Sequence, residues 1–138
     1  MSSRAVAYWA AGIFAATSAL VMFQGRANTE VFTLLPMAVS LLAATKGLME
    51  GDNPRWWLLC GIAGALSVLT KQVAVANLLV LATFALVEAG RSGSIALGLK
   101  RVALIGAGGS MVLGACLLPF VLAGALDEFY YSTLTYNQ

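Results

Sequence analysis

The sequence predicts an all-α fold, a polytopic transmembrane helix bundle of about five spans with no soluble domain. Three observations carry that expectation. Apolar residues fill 60% of the 138 positions and charged residues only 10%, and the mean hydropathy is +0.87. That is too little charge to cover a water-soluble domain of this length. The apolar residues fall into five runs, 5–23, 31–48, 56–70, 73–89 and 102–124, of a length suited to a hydrocarbon core roughly 30 Å thick. The segments between them are short and carry Gly, Pro, Asn and charge, as connections do.

Taken in order, the first run follows Arg4. A positive start before an apolar stretch also describes a secretory signal, but this run is longer than a signal's apolar core and more spans follow, so it reads as a retained helix. The loop Gln24–Glu30 leads into the second run, where Pro36 lies early and is tolerated or kinks the helix locally. Residues 50–55, EGDNPR, form a polar turn, and Trp56 and Trp57 then stand where an interfacial aromatic belt is expected. As one helix, residues 55–88 would be about 50 Å long, too long for one straight crossing. The two polar residues inside it, Lys71 and Gln72, therefore mark a break between two short spans. Residues 90–101, GRSGSIALGLKR, read as a basic Gly/Ser loop before the fifth run. The tail, 125–138, places Phe129, Tyr130, Tyr131 and Tyr136 at headgroup level.

With five spans, Arg4, Lys46, Arg55, Arg91, Lys100 and Arg101 fall on one side and only Arg26 and Lys71 on the other. The positive-inside rule makes the first group cytoplasmic. The N-terminus is then cytoplasmic, while the 24–30 loop, Lys71–Gln72 and the C-terminal tail are extracytoplasmic. Fusing the third and fourth runs would abolish this bias.

Composition also excludes. A net charge of +2 gives nucleic acid no footprint. The absence of His removes Ser–His and Cys–His nucleophiles and most catalytic metal sites. Cys60 and Cys116 lie inside apolar runs and read as small core residues. The run Ile105–Ala115 superficially resembles a dinucleotide-binding loop, yet lacks its spacing and its strand. Its Gly106, Gly109, Ser110 and Gly114, like Gly61, Gly64 and Ala65, read as places where another helix approaches closely, so a helix partner is expected.

The candidate site is Lys71. A lysine near a helix end can simply snorkel to the headgroups. It can equally be a fixed cation, screened from water, that pairs with the phosphate of a lipid-linked substrate, with Arg26 on the same side sharing the charge. Glu30 opens the second span, where a helix dipole favours an acid. Asp127 and Glu128 read as a solvated turn. Any of the three acids could serve as a base or bind a metal, and no spacing selects one.

The strings GRANTEVFTLLPMAVSLLAA, GIAGALSVLTKQVAVANLLVLATFAL and GALDEFYYSTLTYN resemble polytopic glycosyltransferases of the GT-C class. The similarity is to bacterial glycosyltransferase family 39 and aminoarabinose-transferase-like proteins, relatives of the protein O-mannosyltransferases. The resemblance implies transfer of a hexosyl or pentosyl group from a polyprenyl-phosphate donor, at the extracytoplasmic face of the bacterial inner membrane. By the match of motifs, Lys71, beside Gln72, would contact the donor phosphate and Glu30 would support the cavity. Tyr136 and Asn137 would begin an outer segment near the substrate. Such enzymes carry more spans and a large first outer loop holding the main catalytic carboxylate, with no counterpart here. The catalytic residue is thus unassigned, and the chain reads as an internal piece of a larger enzyme, inactive alone. No cofactor is expected beyond the lipid-linked substrate, although the parent enzyme has room for a divalent metal. The competing readings are a small transporter module and a structural membrane subunit.

Overall fold

A computed structural model describes residues 12–13 and 29–131. Arg26, Tyr136 and Asn137 lie outside the described residues. Four long helices follow one another, α1 (Thr29–Met49), α2 (Pro54–Thr70), α3 (Val75–Arg91) and α4 (Ile95–Ala123), and a short α5 (Leu126–Tyr130) follows. A 3-10 turn, Gln72–Ala74, joins α2 to α3. Among the described residues, three stretches, Phe32–Met49, Gln72–Arg91 and Ile95–Ala123, are long and apolar enough to cross a membrane by length and composition.

Each connection has a local cause. After α1, Gly51 and Asp52 take left-handed backbone (φ 69° and 60°), a conformation Gly adopts freely and Asp better than most. Asn53 then accepts a hydrogen bond from the Arg55 amide, and Pro54 occupies the first position of α2, where its missing N–H costs nothing. Gly93 (φ 77°) turns the chain after α3, and Ser94 caps α4 by accepting from the Leu97 amide.

Contacts define the packing. Gly47 lies against Trp57 and Thr33 bonds to Thr70, so α1 and α2 are antiparallel. Gly64 meets Leu78, seven residues on either side of Lys71, so the chain reverses there. On α2 and α4 the pairs Trp57/Arg101, Gly61/Ile105 and Ala65/Gly109 keep one constant offset, so these two helices run parallel. α2 is thus the central element, touching α1, α3 and α4. Its small residues Gly61, Ala63, Gly64 and Ala65 are buried with Trp57, Cys60 and Ser67.

The pattern of exposure is that of a bundle solvated by lipid. Thr33, Ser40, Ser67 and Arg101 are buried, while Leu35 is 71%, Val80 66% and Leu122 79% exposed. Polar groups that must find partners sit inside, and aliphatic side chains face outward, which suits hydrocarbon rather than water.

Four expectations need correction. Residues 95–101 are not loop, because the helix-breaking cluster ends at Ser94 and α4 begins seven residues earlier than the apolar run. Trp57 is no interfacial anchor: it is 1% exposed, with the Arg101 guanidinium 5.1 Å from its ring centroid. Cys60 is buried but Cys116 is exposed. The glycine contact on α4 uses Gly108 and Gly109, whereas an added Cβ at Gly106 or Gly114 would meet nothing and Ser110 is exposed.

Candidate functional site

The helix break at Lys71 leaves no main-chain group of that residue idle. Lys71 is extended (φ −152°, ψ 120°). Its N–H donates to the Ser67 carbonyl at 3.0 Å, completing α2, and its own carbonyl accepts from the Ala74 amide at 2.9 Å, opening the 3-10 turn. A break at membrane depth is tolerable when its polar groups are satisfied in this way. Lys71 is half-buried and Gln72 is exposed.

The helical register gives the depth of this break. If Trp57, Gly61 and Ala65 are level with Arg101, Ile105 and Gly109, Lys71 is level with Ala115. α4 continues to Ala123, about 12 Å farther along its axis at 1.5 Å per residue. The backbone at Lys71 therefore lies below the α4 rim. Beyond that rim Gly124 (φ 67°) ends the helix, and α5 turns back so that the Phe129 ring packs, tilted by 51°, against Phe120 at 4.8 Å between centroids.

Beneath the break lies a polar interior. Thr33 donates to Thr70 Oγ1 at 3.1 Å, and Thr70 donates to the Ser67 carbonyl at 2.7 Å. Ser67 donates to the Gly64 carbonyl at 2.6 Å. Asn77 Nδ2 donates to Ser40 Oγ at 2.9 Å, and Ser40 donates to the Met37 carbonyl at 2.8 Å. Farther down the core turns apolar, with Ala43, Ala44, Trp57, Cys60, Leu81, Ala85 and Ile105.

The structure brings the starts of α1 and α3 and the ends of α2 and α4 to one end of the bundle. Glu30, in the first turn of α1, Lys71, Gln72 and the exposed pair Asp127–Glu128 on α5 share that end. Among the described residues, no three side chains of His, Cys, Asp or Glu come together as a metal site.

Basic residues gather at the opposite end, where two arrangements escaped sequence reasoning. Arg101, 5% exposed, donates from Nε to Asp52 Oδ1 at 2.7 Å, and its Nη2 lies 2.6 Å from the same oxygen. The pair ties the α1–α2 turn to α4. Its partners are 49 residues apart, and nothing local announces it. Nearby, Glu50 accepts from Trp56 Nε1 at 2.6 Å and from Lys46 Nζ at 3.2 Å. These bonds, the indole first, hold the Glu50 carboxyl below its ordinary range. A carboxylate so depressed contributes its tie above the unfolded pKa and loses it as pH falls through the folded one. Trp56 emission, read in a chain whose other tryptophans are phenylalanine, should stay constant through the usual carboxyl range and shift only below it. A shift centred in the usual range would contradict the bond.

No curated protein and no solved structure matches the chain. The family model described as dolichyl-phosphate-mannose-protein mannosyltransferase, a family of GT-C membrane glycosyltransferases, matches residues 2–122. With nearly its whole length matched, and its helices built to be solvated by lipid, the chain belongs to the dolichyl-phosphate-mannose-protein mannosyltransferase family.

Proposed function

We propose that this chain forms the membrane-embedded part of a glycosyltransferase that moves a sugar from a polyprenyl-phosphate donor to an acceptor at the extracytoplasmic face. In this reading Lys71 contacts the donor phosphate, with Gln72 beside it and Arg26 sharing the charge. Glu30 is assigned to support of the substrate cavity, and Tyr136 and Asn137 to the start of an outer segment near the substrate. The observation that carries the proposal is the position of Lys71, a cation on a satisfied helix break recessed below the end of α4, in a chain of this family.

The chemistry follows from placement. The acceptor hydroxyl attacks the anomeric carbon, a carboxylate takes its proton, and the bond to the phosphate oxygen breaks. Negative charge grows on the departing phosphate, and an ammonium held beside it stabilises that charge, the more so where bound substrate excludes water. The carboxylates at this end are Glu30, Asp127 and Glu128, and none is assigned as the base. A transport path is disfavoured, since the polar interior gives way to the Trp57–Cys60–Leu81 core partway across the described bundle.

The test is Lys71→Ala in the full-length protein, assayed for sugar transfer from a polyprenyl-phosphate donor in membranes. Transfer should fall about 100-fold or more, the scale of losing one charge-stabilising group, with membrane insertion unchanged. Lys71→Arg should retain more activity than Lys71→Ala. Wild-type turnover and donor affinity in Lys71→Ala would overturn the assignment.

A further inference from the structure

We propose that Thr33 and Ser40 of α1 form a two-point frame that sets the depth of the Lys71–Gln72 break, which makes Ser40 and Asn77 positioning residues for the group held there. The identity of that group rests on the function proposed above, whereas the frame rests on geometry alone. Thr33 and Ser40 are seven residues apart, two helical turns, and so share a face of α1. Thr33 grips Thr70, the residue just before Lys71. Ser40 accepts from Asn77, six residues after it. The break is thus held from α1 on both of its arms, one bond to α2 and one to α3.

Two further observations support the frame. Ser40 is fully buried and its hydroxyl is engaged on both sides, giving to Met37 and receiving from Asn77. Asn77 is an amide in an otherwise apolar part of α3, costly at membrane depth unless bonded. Elsewhere α1 and α3 barely touch, so this bond is their principal link, and cutting it frees the α3 arm to move.

The experiment places a cysteine at position 71 of the full-length protein in a Cys116→Ser background and follows its labelling by a membrane-impermeant maleimide. Asn77→Leu and Ser40→Ala should each change the labelling rate by about 3- to 15-fold, the span implied by measured interhelical hydrogen bonds in membranes. The double variant should do no more than either single one, as expected for a pair acting as a unit. Ser40→Ala removes only one oxygen, so it keeps the test valid if Asn77→Leu does not fold. An unchanged labelling rate in Ser40→Ala, or additive effects in the double variant, would overturn the frame. With Lys71 intact, both variants should lower kcat at least as much as they raise the donor KM, because Lys71 acts on charge that grows in the transition state. Altered labelling with an unaltered kcat/KM for the donor would uphold the frame and remove the phosphate assignment instead.

Discussion

Asp52→Ala should destabilise the bundle by about 3 kcal/mol, the lower part of the range for breaking a buried ion pair. The loss comes from Arg101, whose side chain is 6% exposed and whose only carboxylate contact among the described residues is Asp52. Without it the guanidinium keeps the face of Trp57 and a long 3.5 Å bond to the Ala85 carbonyl, too little to offset its lost hydration. The reverse change, Arg101→Met, should cost less, because Asp52 is 29% exposed and can take up water. Asp52→Asn isolates the charge, since Asn tolerates the left-handed backbone (φ 60°) of this position. Thermal unfolding of the full-length protein in detergent should rank the variants Arg101→Met, then Asp52→Asn, then Asp52→Ala, in falling stability. Equal stability of all three would mean that the pair is water-exposed and worth little.

Gly108→Leu should be at least as damaging, at or above the top of the ~1–3 kcal/mol range for overpacking. A Cβ at Gly108 would overlap the Leu58 carbonyl oxygen, and one at Gly61 would overlap that of Ile105. The two sites are reciprocal: on each helix the carbonyl offered to the other helix lies three residues before the glycine that receives one, Leu58 before Gly61 and Ile105 before Gly108. What stands in the way is backbone, which has no rotamer to give, so α2 and α4 must separate. Gly106→Leu is the control, because nothing lies within 4 Å of its added Cβ, and its effect should stay within about 0.5–1 kcal/mol, near the ~1 kcal/mol helix-propensity gain of losing a glycine. Similar losses from the two changes would contradict the α2–α4 contact.

Both predictions show where one-dimensional reading stops. Gly106, Gly109 and Gly114 on α4 are equivalent as letters, and helical spacing says only that small residues permit approach. Which side of α4 meets α2 depends on rotation about the helix axis, a property of the packed pair. The Asp52–Arg101 pair is hidden for a related reason. It joins the α1–α2 turn to the first part of α4, neighbours only after α2 and α4 lie parallel, and a basic residue beside a Gly/Ser loop looks solvated until the helix is seen to start at Ile95.

What the sequence determined by itself is the class of fold, the lipid as its solvent, and the break at Lys71. These depend on local quantities: the count of apolar residues, their run lengths against a bilayer of fixed thickness, and a polar pair inside a run too long to cross straight. The tertiary structure alone decided that α2 is central, that Trp57 and Arg101 turn inward, and that α1 grips both arms of the break. The reason is that burial and hydrogen-bond partnership at these positions are set by which helix faces which, and no single helix carries that information.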